Sequence, residues 1–375
     1  MSHHYVSAVA AESSTTAKVA SAADAGWALV QQMLRDVTEM VRADAETEGE
    51  LREGLRVIAR VLALCSQISV EADPDAPAFT DMCAPMRMVG GPNPDGNYYL
   101  AMIRGDRTYR VRGNRGTSSY LGIQVLAGTG LSPRRMDRFV SDTGLQIASD
   151  GTFELVFSAS KPHAQALGDA QWVSLPEDAS ALVVRDYIGD FATQQSATLT
   201  IDVLDGDPPH RVTDAELGEQ FTSLAWTLLK LCSLHRTVKP ELLIAPNQLH
   251  TAEAAALGSE NTTPDNLYMI GTFRLEPDQA LILDIDPPDT RYWSITLENI
   301  WHECIEPRQR HSSVTNLGVT PAADGRVRIA ISEHDLRQGH WLDTGGRHRG
   351  FVVLRWLDNP NPPGVLVSVH TEDGA

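Results

Sequence analysis

The sequence is poor in cysteine, in basic residues and in long apolar runs, and each shortage removes a class of protein. Only Cys65, Cys83, Cys232 and Cys304 occur in 375 residues. They form no C-x-x-C pair and no zinc-ribbon spacing, which argues against a disulfide scaffold and against a cysteine-built metal site. A reducing, cytoplasmic setting is expected. Lys and Arg number 31 against 49 Asp and Glu, a net charge of −18 with His neutral, and such a surface repels phosphate backbones and anionic bilayers. Neither nucleic acid nor membrane is expected as a partner. No stretch approaches the roughly 18 consecutive apolar residues of a spanning helix. Residues 1–23, rich in Ala, Ser and Thr, lack the basic and apolar regions of a signal peptide and read as a flexible tail.

Catalytic signatures are missing as well. There is no G-x-S-x-G, no phosphate-binding Walker loop, no glycine fingerprint for a dinucleotide and no H-E-x-x-H. His302-Glu303 opens like the last of these, but no histidine follows at the required spacing. The closely spaced histidine pair of a bicupin iron site is absent too, since only the tail pair His3-His4 is close. No organic cofactor is expected. A divalent metal stays open at Asp284-Ile285-Asp286, although a carboxylate cluster beside Pro287-Pro288 more often makes a solvated turn.

What the chain does contain is legible organisation. A length of 375 residues exceeds what one core usually organises and favours two domains or a duplicated unit. Trp27, Val30, Leu34, Val37 and Val41 recur at three- and four-residue steps behind Asp24, an expected N-cap, and Leu51, Leu55, Ile58, Leu62 and Cys65 repeat the pattern up to Pro74 and Pro77. This predicts a helical hairpin over residues 24–78. A third helix is announced by the capping box Thr213-Asp214-Ala215-Glu216, ahead of Leu217, Phe221, Leu224, Leu228 and Leu231. It predicts a helical connector over residues 206–260.

Between the helices the period drops to two and the text appears twice. Asn97-Tyr98 corresponds to Asn266 and Tyr268, the segment from Tyr120 to that from Tyr292, Asp150-Gly151 to Asp324-Gly325, Trp172 to Trp341, and Arg185 to Arg355. The predicted fold is mixed α and β but mainly β: two duplicated antiparallel β-sandwich or jelly-roll-like modules, over residues 79–205 and 261–375.

Duplication supplies an internal control. Residues alike in both copies, such as Arg185 and Arg355, are expected to be scaffold; each arginine alternates with valine toward a partly apolar face and needs a carboxylate or carbonyl partner. Residues that differ are candidates for chemistry. Leu126 becomes Glu298, Ser160-Lys161 becomes His334-Asp335, and Gln171 becomes His340, while His302, His311 and His348 add to the histidines of the second copy. Glu298 shares a strand face with Tyr292, Ser294 and Thr296, because side chains alternate along a strand. The expected site has His334 as general acid or base with Asp335 orienting it, and Glu298 as a second carboxylate. Arg310 or Arg355 would hold an anionic group, and Tyr292, His340 and Trp341 would line the substrate.

The residues from Asn97-Tyr98 through Tyr109 to Gly116, and from Asp324-Gly325 through His334-Asp335, Trp341 to Gly346, Gly350 and Leu354-Arg355-Trp356, resemble a bacterial family catalogued as domain of unknown function 1214. The resemblance covers roughly residues 25 to 360 and is most specific over the last forty. It implies a jelly-roll-like C-terminal domain, often preceded by a second β domain, and no activity. The family pattern has Pro-Gly after the His-Asp pair and Asn before the Trp, where this chain has Leu336-Arg337 and His340.

Three functions are compatible with these observations. The first is an enzyme acting on a small, moderately apolar metabolite by hydrolysis or elimination at the second module. The second is a non-catalytic small-ligand binding protein with its cavity between the modules and the tryptophans as walls. The third is an assembly protein using the N-terminal helices; self-association into a homo-oligomer stays open. Converging His334 and Glu298 would favour the first, and an apolar cavity without them the second. The charge balance makes a direct prediction: the purified protein should show no DNA affinity that weakens with added salt, and a steep salt dependence in a gel-shift titration would overturn the exclusion.

Overall fold

The computed structural model describes residues 21–83, 87–88, 90–128, 134–237, 245–252, 262–359, 361 and 363–372. The expected tail therefore lies outside the described residues up to residue 20. Helix α1 (Ala22–Asp44) is capped by Ser21, whose side chain accepts from the Asp24 amide at 3.0 Å; Asp24, the expected cap, sits in the first turn instead. Helix α2 (Glu48–Ser66) starts with a full capping box, Thr47 with Glu50, and its last turn loosens into a π-helical stretch, Gln67–Glu71. The boxed helix announced at Thr213 is present as α4 (Asp214–Cys232). It is more than a connector. Val30, Val37 and Val41 of α1, Val57 and Val61 of α2, and Leu224 and Leu228 of α4 share one apolar core, so the three helices form a single layer.

The first β module pairs a five-stranded sheet with a four-stranded one. The five-stranded sheet runs β1 (Thr80–Cys83), β2 (Gly96–Met102), β8 (Ala179–Tyr187), β4 (Tyr120–Ala127), β5 (Arg135–Ser141). Facing it are β7 (Gln171–Ser174), β6 (Thr152–Ser158), β3 (Tyr109–Asn114) and β9 (Thr198–Val203), with the one-turn helix α3 (Ala164–Leu167) leading into β7. The second module repeats this order strand for strand. Its five-stranded sheet is β10 (Gln248–Ala252), β11 (Asn266–Arg274), β17 (Arg349–Leu357), β13 (Trp293–Glu298), β14 (Ser313–Thr315), and its four-stranded sheet is β16 (His340–Asp343), β15 (Val327–Ser332), β12 (Gln279–Ile285), β18 (Val365–Thr371).

The duplication extends to detail. In each copy the strand after the Asp-Gly turn pairs in parallel with the strand carrying the tryptophan, and the indole donates back to a serine, Trp172 to Ser158 Oγ (3.1 Å) and Trp341 to the Ser332 carbonyl (3.2 Å). Alternation holds over the first half of each strand and then gives way to burial on both faces at Val156 and Ala330. Phe153, Leu155 and Phe157 are buried, as are Val327, Ile329 and Ile331, while Thr152, Arg326 and Arg328 are exposed. One pairing shifts by a residue: Tyr98 lies opposite Arg185 and Tyr268 opposite Arg355, so Asn266 corresponds to Gly96 rather than to Asn97.

The helical layer is fastened to the second module. Arg349 binds Glu50 (2.7 Å) and Glu46 (2.6 Å), Arg347 binds Glu53 (2.5 Å), and the buried Glu303 takes Arg56 and Arg60. The segment after β13 inserts Trp301 among the helices, its indole donating to the Glu50 carbonyl at 2.9 Å. Gly54 permits that insertion: a Cβ there would stand 2.5 Å from Val41 and 2.9 Å from the Trp301 ring. Alanine would gain about 1 kcal/mol of helix propensity, but overpacking typically costs about 1–3 kcal/mol. Gly54→Ala should therefore lower stability in urea unfolding by about 1 kcal/mol; an unchanged or raised midpoint would show that this contact is slack.

Candidate functional site

The residues expected to converge do not. β13, which carries Glu298, belongs to the five-stranded sheet, whereas His334, Asp335, His340 and Trp341 lie on or beside β15 and β16 of the four-stranded sheet. The apolar core of Trp293, Ile295, Leu297, Ile329 and Ile331 stands between them. Two stacked sheets are about 10 Å apart, so residues matched along the sequence end on opposite layers. His334 has a side chain 71 % exposed, with Glu333 at 3.9 Å, and Asp335 caps its own turn by accepting from the Arg337 amide. His340 is held by the Thr320 backbone, and Trp341 pins an edge strand rather than walling a cavity. Arg310 already binds Glu306 (2.7 Å) and Asp343 (2.9 Å), so the protein's own carboxylates occupy the guanidinium meant for an anionic group. Asp284 likewise pairs with Arg328 across the strands at 2.7 Å, and among the described residues no cluster of three or more His, Cys, Asp or Glu could hold a metal ion.

The other expected residues meet elsewhere, where the five-stranded sheets face each other. Glu298 is 1 % exposed and accepts from Nδ1 of His302 at 2.8 Å; its second oxygen lies 3.8 Å from Arg355. Arg355, also buried, donates to the Gly91 carbonyl (2.7 Å) and to Thr296 Oγ1 (3.2 Å). Gly91 adopts φ +66°, and a Cβ there would press within 3.3 Å of the Glu298 carboxylate, so the position suits glycine on two grounds. His302, itself at φ 56°, stacks on Phe351 with centroids 4.2 Å apart, and its carbonyl accepts the amides of Gly90 and Gly91. The polar strand face read from the sequence, Tyr292-Ser294-Thr296-Glu298, is thus real and fully buried.

Tyr292 belongs to a tyrosine cluster at the same seam. Its ring stacks on Tyr187 at 5.3 Å, and Tyr120 lies 5.2 Å from Tyr187 on the other side. The hydroxyls cross between modules: Tyr292 accepts from Asn93, Tyr120 donates to Asp265 (3.2 Å), and Tyr187 bonds Thr263 (2.6 Å). Burial pushes the phenols of Tyr98 and Tyr292 well above their ordinary range, so they act as neutral hydrogen-bonding groups.

Beside this seam the helical layer leaves a cavity of about 1010 Å³. One wall is the face of the first module's five-stranded sheet, with Leu100 and Met102 on β2, Leu126 on β4 and Val183 on β8; the other is Leu64 and Ile68 from α2 and its π-helical extension, with Leu231 from α4. Its floor is Tyr98, Arg185, Tyr187, Tyr268 and Arg355, all at or below 5 % exposure. The exposed Arg104, Asp106, Trp226 and Lys230 also line it. Of the expected site residues Arg355 lines this cavity, Glu298 buttresses it from behind Gly91, and Tyr292 packs against its floor. Sequence reasoning missed Tyr98, Tyr187, Tyr268, His302 and the helix residues, and assigned Arg185 to scaffold. The signal that marks the floor is the pair of Tyr–Arg neighbours repeated in both copies.

One carboxylate at the seam is out of balance. Asp95 has a buried Oδ2 with no hydrogen-bond partner, and burial raises its pKa to about 7 against the opposing pull of Arg355. The folded state therefore holds a proton that the unfolded chain releases near pH 4, and stability should fall as pH rises from about 4 through 7. Asp95→Asn should remove this slope, and the variant should gain on the parent in thermal unfolding at pH 8 relative to pH 5. Equal shifts at both pH values would refute the assignment.

Comparison with known proteins agrees with the fold and is silent on chemistry. Residues 273–361 match the family described as protein of unknown function (DUF1214), within the second module. An uncharacterized protein from Burkholderia cenocepacia superposes with a TM-score of 0.86 at 27 % identity, over 92 % of this chain and 96 % of that one. The VPA0106 protein from Vibrio parahaemolyticus is more distant, at a TM-score of 0.51 and 12 % identity over 83 % of this chain and 96 % of its own. The comparison with curated proteins gave no match.

Proposed function

We propose that this chain is a small-ligand binding protein whose ligand occupies the cavity between the first module and the helical layer. The observation that carries this reading is a cavity of about 1010 Å³ with mostly apolar walls and two buried arginines and three tyrosines on its floor. Ligand sites commonly measure about 300–1,000 Å³ and combine apolar walls with a few convergent polar groups. The absence of His334 from the lining favours binding over the acid–base chemistry first expected there. Four free, buried cysteines accord with a reducing, cytoplasmic setting, and among the described residues no helix is long and apolar enough to cross a membrane.

A catalytic reading retains one supporting observation, the Glu298 carboxylate on Nδ1 of His302. A carboxylate so placed leaves the far nitrogen of the ring as a proton acceptor. On this reading Glu298 keeps the role expected of it and His302 replaces His334.

The binding reading is tested with N-phenyl-1-naphthylamine, a neutral apolar fluorophore. One molecule should bind per chain, and Val183→Trp, which fills the cavity, should weaken binding at least tenfold while the melting temperature stays within a few degrees. His334→Ala should leave binding within twofold of the parent. Undiminished binding to the Val183→Trp protein would overturn the proposal.

A further inference from the structure

We infer that the ligand is an elongated apolar molecule ending in a neutral carbonyl, its oxygen held by Tyr98, Tyr268 and Arg355 and its chain lying along the first module's sheet toward Met102 and Leu126. The inference rests on the cavity being a binding site and adds the class of molecule it takes.

Three observations carry it. The first is the order of residues along the wall. In the five-stranded sheet Tyr98 lies opposite Arg185, Leu100 opposite Val183, and Met102 opposite Ala181, which has Leu126 on its other side. The polar residues therefore share one rung of the ladder, and the lining rungs beyond it are apolar. A strand rises about 3.4 Å per residue, so the wall from Tyr98 to Met102 is about 13–14 Å long. On α4 the lining residues from Ser223 to Leu231 cover about 12 Å at a rise of about 1.5 Å per residue. An extended chain with one polar end fits that shape.

The second is a set of donors that lack acceptors. The Tyr98 hydroxyl accepts the Asn93 amide (2.7 Å), and the Tyr268 hydroxyl accepts the Thr263 amide (2.9 Å) and the Asn266 side-chain amide (3.4 Å). A phenol also carries one proton to donate, and burial keeps that of Tyr98 in place. Among the described residues no acceptor stands within hydrogen-bond distance for either proton. Arg355 has five N–H donors, of which the Gly91 carbonyl and Thr296 Oγ1 each take one. The carboxylates that line the cavity, Asp106 and Glu177, are exposed and lie past the apolar rungs, the one following Met102 in the chain and the other preceding Ala179. Buried donors left unmet are costly, so the floor calls for an acceptor.

The third is that the floor's guanidiniums have partners. Glu298 stands 3.8 Å from Arg355 and balances it. Arg185 lies over the Tyr98 ring, 6.0 Å from its centre, and is engaged there. A charged head would have to be stripped of water and then compete with those partners. A carbonyl accepts the same hydrogen bonds at a smaller cost of desolvation.

The experiment is displacement of the naphthylamine from the full chain at pH 7 by 2-decanone, decane, decanoate and decylammonium. In parallel, the infrared band of 2-decanone labelled with carbon-13 at its carbonyl is read in the complex. The ketone should displace the probe one for one and bind at least tenfold more tightly than decylammonium, whose head only donates. Decanoate should bind no more tightly than the ketone. The carbonyl band should lie below its frequency in hexane, as a hydrogen bond to the oxygen requires. Tyr98→Phe should weaken the ketone relative to decane by about fivefold, the size of one neutral hydrogen bond, and move the band toward its hexane position. Tyr120→Phe removes a hydroxyl that already donates to Asp265 (3.2 Å) and should change neither readout. The band in the parent protein needs no substitution, so the proposal stays refutable should the Tyr98→Phe chain fail to fold. A band at the hexane frequency, or tighter binding of decylammonium than of the ketone, would overturn the acceptor head. Decanoate binding at least tenfold more tightly than the ketone would overturn its neutrality. Displacement by none of the four, with the naphthylamine bound, would overturn the class and leave the cavity reading intact. Failure of the naphthylamine to bind, with no band from bound ketone, would overturn the binding reading itself.

Discussion

A buried polar seam holds the two β modules in one orientation, and the rest of the molecule is built around it. Tyr120, Tyr187 and Tyr292 stack where the five-stranded sheets meet, and each hydroxyl finds its partner on the opposite module: Asp265, Thr263 and Asn93. A buried hydroxyl without a partner costs about 1–3 kcal/mol, so sliding one module against the other would leave several such groups unmatched at once. The loops that supply the partners are themselves duplicated, Asn93-Pro94-Asp95 and Thr263-Pro264-Asp265. Each sends its leading backbone amide to the tyrosine five residues on. The seam is thus one local motif used twice, facing itself.

Once the modules are fixed, the helices have only the remaining faces to cover, and they cover the two unequally. Over the second module the fit is dense. Arg347 and Arg349 bind the glutamates of α2, and Trp301 is inserted as far as Gly54 allows. Over the first module the equivalent surface carries Leu100, Leu126 and Val183, and among the described residues it lines the cavity. The substitution of Leu126 by Glu298 fits this division. In one copy the position is an apolar wall; in the other it is a carboxylate that approaches Arg355 and binds His302.

The duplicated fold was readable because strand parity and turn chemistry are local. The Asp-Gly turns, the alternation through Phe153 to Phe157 and Val327 to Ile331, and the two capping boxes each involve neighbours in the chain. The candidate site was read poorly for the complementary reason. Differences between copies point to the second module's histidines, yet His334 and His340 lie at an outer sheet, while the shared Tyr98, Tyr268, Arg185 and Arg355 form the cavity floor. Repeated residues can be scaffold and site together when two copies of one strand position face the same space.

By itself, then, the sequence determined the class of fold, the strand faces, the starts of the helices to within a few residues, and the shared face of Glu298 with Tyr292, Ser294 and Thr296, but not the burial of that face. Periodicity and capping decide those features through interactions a few residues long. Which faces meet was left to the tertiary structure, because that depends on how two twisted sandwiches and three helices fill space together. It separated His334 from Glu298 by a layer of apolar core, joined Arg185 to Arg355 across 170 residues, and set the Trp301 segment among the helices over the second module.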